Sequence, residues 1–246
     1  METGPAQIHI GTSGWHYAHW RGAFYPRELD TGRWLSYYAE RLHCTEINNS
    51  FYRLPQPAAL TRWVEDTPAD FLFAIKAWRV ITHRKKLKDC ADAVGTFLDS
   101  IGPLAPKLGP VLFQLPPHWR CNLQRLADFV ERLPGDRRYT FEFRDHSWHC
   151  RGVYDLLRAY DMAFCVYDLD GFLSPVITAG DFVYIRLHGP GGAYSGKYHG
   201  NTLRSWARKA GEWAREGKDV YIFFDNDEAG YAVHNALSLQ GMVENP

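Results

Sequence analysis

The sequence predicts an α/β chain that closes into a single (β/α)8 barrel of the TIM type. Three observations lead there. Eight short β-rich runs follow one another, helical patterns separate nearly all of them, and 246 residues suit one such barrel. No linker, repeat or low-complexity tract interrupts the chain, so residues 1–246 read as one domain.

The eight runs are 8–11, 45–47, 71–76, 111–115, 139–143, 163–167, 182–187 and 220–224. Between them, 34–42, 60–65, 91–104, 123–133, 153–160, 203–216 and 228–239 carry apolar residues at helical spacing. Asp227 precedes the last of these as its expected N-cap. Only Gly171, Pro175 and Gly180 punctuate the stretch between the sixth and seventh strands, so the helix there is expected to be missing or degenerate.

Composition narrows the function classes. Apolar residues at 46% fit a globular fold whose core is large enough to need no disulfide or structural metal. Lys plus Arg equals Asp plus Glu at 28 each, so no overall field draws in nucleic acid or membrane, and any anion site must be local. Cys44, Cys90, Cys121, Cys150 and Cys165 are scattered, odd in number and free of C-x-x-C, a pattern of free thiols in a reducing compartment. With no leader pattern at the start and no run of membrane-spanning length, the expected location is the cytoplasm, with no membrane partner. Nothing in the sequence sets the oligomeric state.

Side-chain alternation carries the functional expectation. Successive residues of a strand face opposite sides, helices outside and lumen inside. On the fifth strand, Tyr139, Phe141 and Phe143 share the outer side, which turns Thr140, Glu142 and Arg144 inward. The seventh splits into Val183, Ile185 and Leu187 outside and Tyr184, Arg186 and His188 inside. The same rule turns Glu46 and Asn48, Lys76 and Gln114 inward, while the eighth strand reads equally well in both phases. Polar groups therefore gather at the carboxyl ends of the strands, where barrels of this kind keep their active sites. A set of internal ion pairs, such as Glu46 with Lys76 or Glu142 with Arg186, is the structural alternative, and buried pairs add little net stability.

At these strand ends the chain resembles the YecE-like family, a domain of unknown function. The matching segments run in order: Gly11-Thr12-Ser13-Gly14-Trp15 with Tyr17 and Trp20, Phe24-Tyr25-Pro26, Glu46-Ile47-Asn48 with Ser50-Phe51-Tyr52, and Phe73-Ala74-Ile75-Lys76 with Ile81-Thr82-His83. Leu108-Gly109-Pro110, Phe113-Gln114-Leu115-Pro116-Pro117, Glu142-Phe143-Arg144 with Trp148, Arg186-Leu187-His188-Gly189 and Phe224-Asp225-Asn226-Asp227 complete the series. The resemblance implies a TIM-type barrel and no particular reaction. The chain departs from the family pattern at Asp225, where Asn is usual, and at Asp145, where His is common.

Three functional readings follow. The first is an enzyme, a hydrolase, lyase or isomerase, acting on a small polar or anionic compound, phosphorylated or sugar-like. Glu46 and Glu142 form its acid–base pair, with His188 as proton donor or orienting group. Lys76, Arg144 and Arg186 bind anionic groups; Asn48, Gln114 and Asn226 orient the substrate by hydrogen bonds; Trp15 and Tyr52 offer aromatic faces. No cofactor is expected. The second reading is a metal-dependent phosphodiester hydrolase on nucleic acid, akin to the barrels related to endonuclease four, with a divalent ion held by Glu46, Glu142, His188 and Asp225. The H-x-x-H spacings His16/His19 and His146/His149 add little to it. The third is a barrel that binds a ligand without turnover. Two loops bear on all three: a glycine-rich one from Gly189 to Gly200, read as an anion cradle or lid, and a basic one with Arg79, His83, Arg84, Lys85 and Lys86, read as the solvated start of a helix.

Overall fold

β-branched and aromatic residues fill the strands, and their pairing closes a barrel in this computed structural model, which describes residues 5–244. Residues 1–4 and 245–246 of the span read as one domain lie outside it. The strands are β1 (Ile8–Thr12), β2 (Cys44–Ile47), β3 (Leu72–Lys76), β4 (Leu108–Leu115), β5 (Tyr139–Phe143), β6 (Ala163–Leu169), β7 (Phe172–Leu173), β8 (Phe182–Leu187) and β9 (Asp219–Phe224). The order β5-β4-β3-β2-β1-β9-β8-β6 is parallel throughout, and a β5–β6 pairing shuts the ring. The two-residue β7 folds back antiparallel on β6.

Seven helices surround the ring: α1 (Trp34–Ala39), α2 (Pro57–Glu65), α3 (Ala91–Ser100), α4 (Leu123–Val130), α5 (Arg151–Ala159), α6 (Gly200–Arg215) and α7 (Tyr231–Glu244). No helix intervenes between β6 and β8; the β7 hairpin stands there instead, as the glycines and proline of that stretch predict. α3 stops short of its expected end because Gly102 and Pro103 break the α-helical hydrogen bonding, and a 3-10 turn takes over at Gly102–Lys107. Asp227 does not cap α7. Its carboxylate accepts from Trp20 Nε1 at 2.6 Å and lies 2.9 Å from His19 Nε2, and the helix begins only at Tyr231. Among the described residues, no helix is long and apolar enough to cross a membrane.

Alternation sorts the strand residues into two apolar groups. Ile10, Phe113, Phe141, Ile185 and Ile222 pack outward under the helices. Cys44, Ala74, Leu112, Cys165, Tyr184 and Phe223 fill the lumen. Tyr221 and Phe223 thus settle the phase of the last strand, which carries Asp225 to the inside and Asn226 to the outside.

Closure of the ring leaves no room beside Gly11, which pairs with Cys44 across β1 and β2. A Cβ at Gly11 would lie 2.1 Å from the Cys44 carbonyl oxygen, so the strand backbones would have to part. We expect Gly11→Ala to lower the unfolding free energy in urea by roughly 3 kcal/mol, as overpacking of a tight core does.

Candidate functional site

Above the apolar layer of the lumen, the next inward residue of seven of the eight barrel strands is polar, Tyr167 taking that place on β6. Ser13 follows β1, Glu46 sits on β2, Lys76 ends β3, Gln114 lies on β4, Glu142 on β5, Arg186 on β8, and Asp225 follows β9. Register brings Gln114 beside Glu142 and sets Arg186 between Tyr167 and Phe223. The long Arg186 side chain then crosses the lumen to the opposite wall.

Arg186 is the centre of the assembly. It is 1% exposed, yet its Nη2 lies 2.7 Å from Glu46 Oε1 and its Nη1 2.9 Å from Glu142 Oε2. Nη2 also reaches Asp225 Oδ2 at 3.2 Å. Burial lowers the pKa of this guanidinium, but Glu46, Glu142 and Asp225 outweigh burial and raise it. The cation is therefore permanent.

Both glutamates are fully buried and occupied. Glu46 Oε1 accepts from Ser13 Oγ at 2.9 Å, Asn48 Nδ2 at 3.0 Å and Arg186, while Oε2 accepts from the Tyr184 hydroxyl at 2.6 Å. Glu142 accepts from Arg144 Nε on one oxygen and from Arg186 on the other. Burial pushes the Glu142 pKa up, but Arg144 and Arg186 prevail and hold the carboxyl well below its ordinary value. The two carboxylates expected to act as acid and base are thus brought together by one guanidinium. A carboxylate needed as an acid has to be raised in pKa, and Glu142 moves the opposite way.

His188 is also fully enclosed. Its Nε2 lies 3.2 Å from Arg144 Nη2 and 3.4 Å from Arg186 Nη1. Arginine only donates, so Nε2 accepts and the ring proton sits on Nδ1, facing Asp225 Oδ2 at 3.0 Å. Burial and then Arg186 lower the imidazole's pKa, which keeps it neutral. The edge of Tyr194, from the glycine-rich loop, covers it at 5.3 Å.

Two cations at the mouth lack this pairing. Lys76 Nζ, half-buried, has no hydrogen-bond or ion-pair partner among the described residues and stands 4.5 Å over the Phe51 ring. Burial, then Arg186, lowers its pKa to about 8 against the opposite pull of Glu142 and Glu46. Arg79 lies near the faces of Phe51 and Tyr52 with its buried Nε unpartnered. The basic loop read as a solvated helix start is instead a π-helical turn, Val80–Arg84, partly tucked in, with His83 edge-on to Phe51. Burial and then Lys76 and Arg79 lower the His83 pKa to about 4, so it too is neutral.

Other expected site residues fall at varied distances from this centre. Gln114 faces in and donates to its neighbour's carbonyl at Leu115. Trp15 packs against Trp63 and lines, with Ser13, Tyr17 and Asn48, a cleft of about 370 Å³ at the edge of the mouth. Tyr52 is largely exposed at 69%. Asn226 is outside the ring altogether: its amide donates to Gly196 O and Asn235 Oδ1, so it anchors the glycine-rich loop to α7 and orients no ligand in the lumen. Within that loop Gly189 has φ +113°, and a Cβ there would lie 2.0 Å from the Ser195 carbonyl oxygen, so the glycine serves a tight turn.

The donors proposed for a divalent ion do not fit one. Glu46, Glu142 and Asp225 converge on Arg186, and His188 lies against it, so a guanidinium stands where the ion would be. His146 and His149 stack on each other and on Phe172, His16 tilts against Trp34, and His19 pairs with Asp227.

Fold and mouth together define a TIM-type barrel with an arginine-centred charged layer at its carboxyl end. The chain belongs to the DUF72 family, whose description is a protein of unknown function and whose family model matches residues 9–246. The YecE-like resemblance of its strand ends is thereby established. Bacillus subtilis YunF is 26% identical over 270 residues, covering 96% of this chain and 95% of its own. Escherichia coli YecE is 35% identical over 146 residues, 59% of this chain and 51% of its own. The crystal structure of a DUF72 family protein from Thermotoga maritima superposes with a TM-score of 0.88 at 29% identity, covering 97% of this chain and all of the other.

Arg186→Met leaves two carboxylates buried without their common cation. We expect a loss of roughly 3–5 kcal/mol in urea unfolding. The Glu142 contribution is complete above its ordinary value of 4.5 and drains away as pH falls below it, because the unfolded chain then takes up the proton first. Thermal melts across acid pH should therefore show a shallower decline for Glu142→Gln than for the natural protein.

Proposed function

We propose that the mouth of this barrel is the site of an enzyme acting on a small anionic compound, phosphorylated or sugar-like. The observation that carries this reading is the pair of cations Lys76 and Arg79, which have no ion-pair partner among the described residues and sit at the edge of the arginine-centred cluster. An unpaired, partly buried cation is costly unless a ligand neutralises it. An anionic group between Lys76 and Arg79 would supply the missing acceptors. Arg144, held by Glu142 and partly exposed, extends the same positive edge.

Tyr52 and Tyr194, both exposed, offer apolar faces to a sugar ring or similar body, Tyr52 beside Arg79 and Tyr194 over His188. Asn48 and Asp225 are the polar groups of the network that retain exposure, and they suit hydroxyl recognition. The two glutamates and His188 serve as the rigid support that aims these groups. Proton transfer falls to Lys76, an ionisable group of the mouth with no hydrogen-bond or ion-pair partner among the described residues.

Inorganic phosphate and a panel of sugar phosphates, titrated by calorimetry and thermal shift, test the reading. Binding is expected for the natural protein, with Lys76→Met and Arg79→Gln each weakening it at least about tenfold, the cost of one lost charge-assisted contact. Equal affinity in all three proteins would place the anion elsewhere and overturn the proposal.

A further inference from the structure

We propose that the Lys76 amine is a nucleophile that condenses with the carbonyl carbon of a small anionic aldehyde or ketone held at the mouth, forming an imine. The inference rests on the anion-binding reading above and names the reactive group and the substrate class for it.

Two lysines with largely withdrawn side chains make the contrast. Lys107 is tied down by three acceptors, Val64 O, Thr67 O and Thr67 Oγ1, at 2.6, 2.7 and 2.9 Å. It is a structural cation. Lys76 has none of these ties. Its position at the end of β3 is where a barrel presents reacting groups, and the Phe51 ring shields one side of the nitrogen from water. Arg186 faces it as a second cation, Glu142, Glu46 and Asp225 are its acidic neighbours, and Arg79 and Arg144 share with it the neutral His83 as a neighbour. Arg79 and Arg144 remain to bind the substrate's charge when the lysine is consumed as a nucleophile. Desolvation beside a second cationic group is the arrangement that frees a lysine's lone pair at neutral pH. At a pKa of about 8, the free-amine fraction exceeds that of an exposed lysine on the order of 100-fold.

The step balances without any oxidant or reductant. The nitrogen lone pair forms a C–N bond as the carbonyl π bond opens. The amine's two protons and the carbonyl oxygen leave as one water, and a C=N bond remains. Once protonated, that bond draws electrons from the neighbouring carbon, which favours loss of a proton or cleavage of a C–C bond there.

The full-length protein is incubated at neutral pH with dihydroxyacetone phosphate or with neutral dihydroxyacetone, sodium cyanoborohydride being present to reduce any imine. Adducts are mapped by peptide mass spectrometry, and inorganic phosphate binding is measured in parallel by calorimetry. The expected result is a reduced adduct on Lys76, formed at least about tenfold faster than on exposed Lys85, Lys86 or Lys88, and faster with the phosphorylated probe. Lys76→Arg, which preserves the charge and the long stem, should still bind phosphate and yield no adduct at that position or selectively at another. If phosphate binds but Lys76 reacts no faster than the exposed lysines, the imine is overturned and the anion site stands. If phosphate does not bind, the site reading fails and this inference with it.

Discussion

The ion cluster around Arg186 is the constraint from which the rest of the mouth takes its shape. One guanidinium on β8 joins carboxylates from β2, β5 and the end of β9, and so ties together strands from opposite sides of the barrel. Its cost is high, because three anions and a cation leave water together. The return is geometric. Glu46 is fixed by five donor contacts, Glu142 by two guanidiniums, and His188 by its place between Arg144, Arg186 and Asp225. Each of these groups is tied to more than one strand or loop by those contacts.

That rigidity changes which residues can work. Arg144 and Arg186 hold the Glu142 carboxyl well below its ordinary pKa, and the cations without partners lie at the edge of the cluster. Lys76 and Arg79 sit there with no ion-pair contact among the described residues, one on a strand and one in the turn that follows it. The cluster also sets the field they feel. Arg186 opposes protonation of Lys76, and Lys76 with Arg79 keeps His83 neutral.

The barrel itself was legible in the sequence because alternation and spacing are local signals. β5 and β8 read cleanly: their outer residues are uniformly aromatic or aliphatic, and their inner residues polar. β9 did not, since Tyr221, Ile222, Phe223 and Phe224 suit either phase, and only packing against Tyr184 settles it. That ambiguity turned Asn226 inward, whereas the structure turns Asp225 inward and Asn226 outward. The inward set Glu46, Lys76, Gln114, Glu142, Arg144, Arg186 and His188 was visible for the same reason as the strands. Which of them pair was not, because the reach of Arg186 across the lumen depends on barrel geometry. Arg79 was visible only as one of a run of basic residues, and nothing local announces that the turn after β3 folds in as a π-helix against Phe51. Asp227 shows the limit of capping rules: a tertiary partner, Trp20, claims the carboxylate first.

The most direct test of this account is a double-mutant cycle for unfolding free energy between Arg186→Met and Glu142→Gln, with Glu46→Gln as the second arm. Groups that form one network must couple, so the account predicts interaction energies of about 1–3 kcal/mol in both arms. Additive losses, within about 0.5 kcal/mol, would show that Arg186 does not organise the two glutamates and would contradict it.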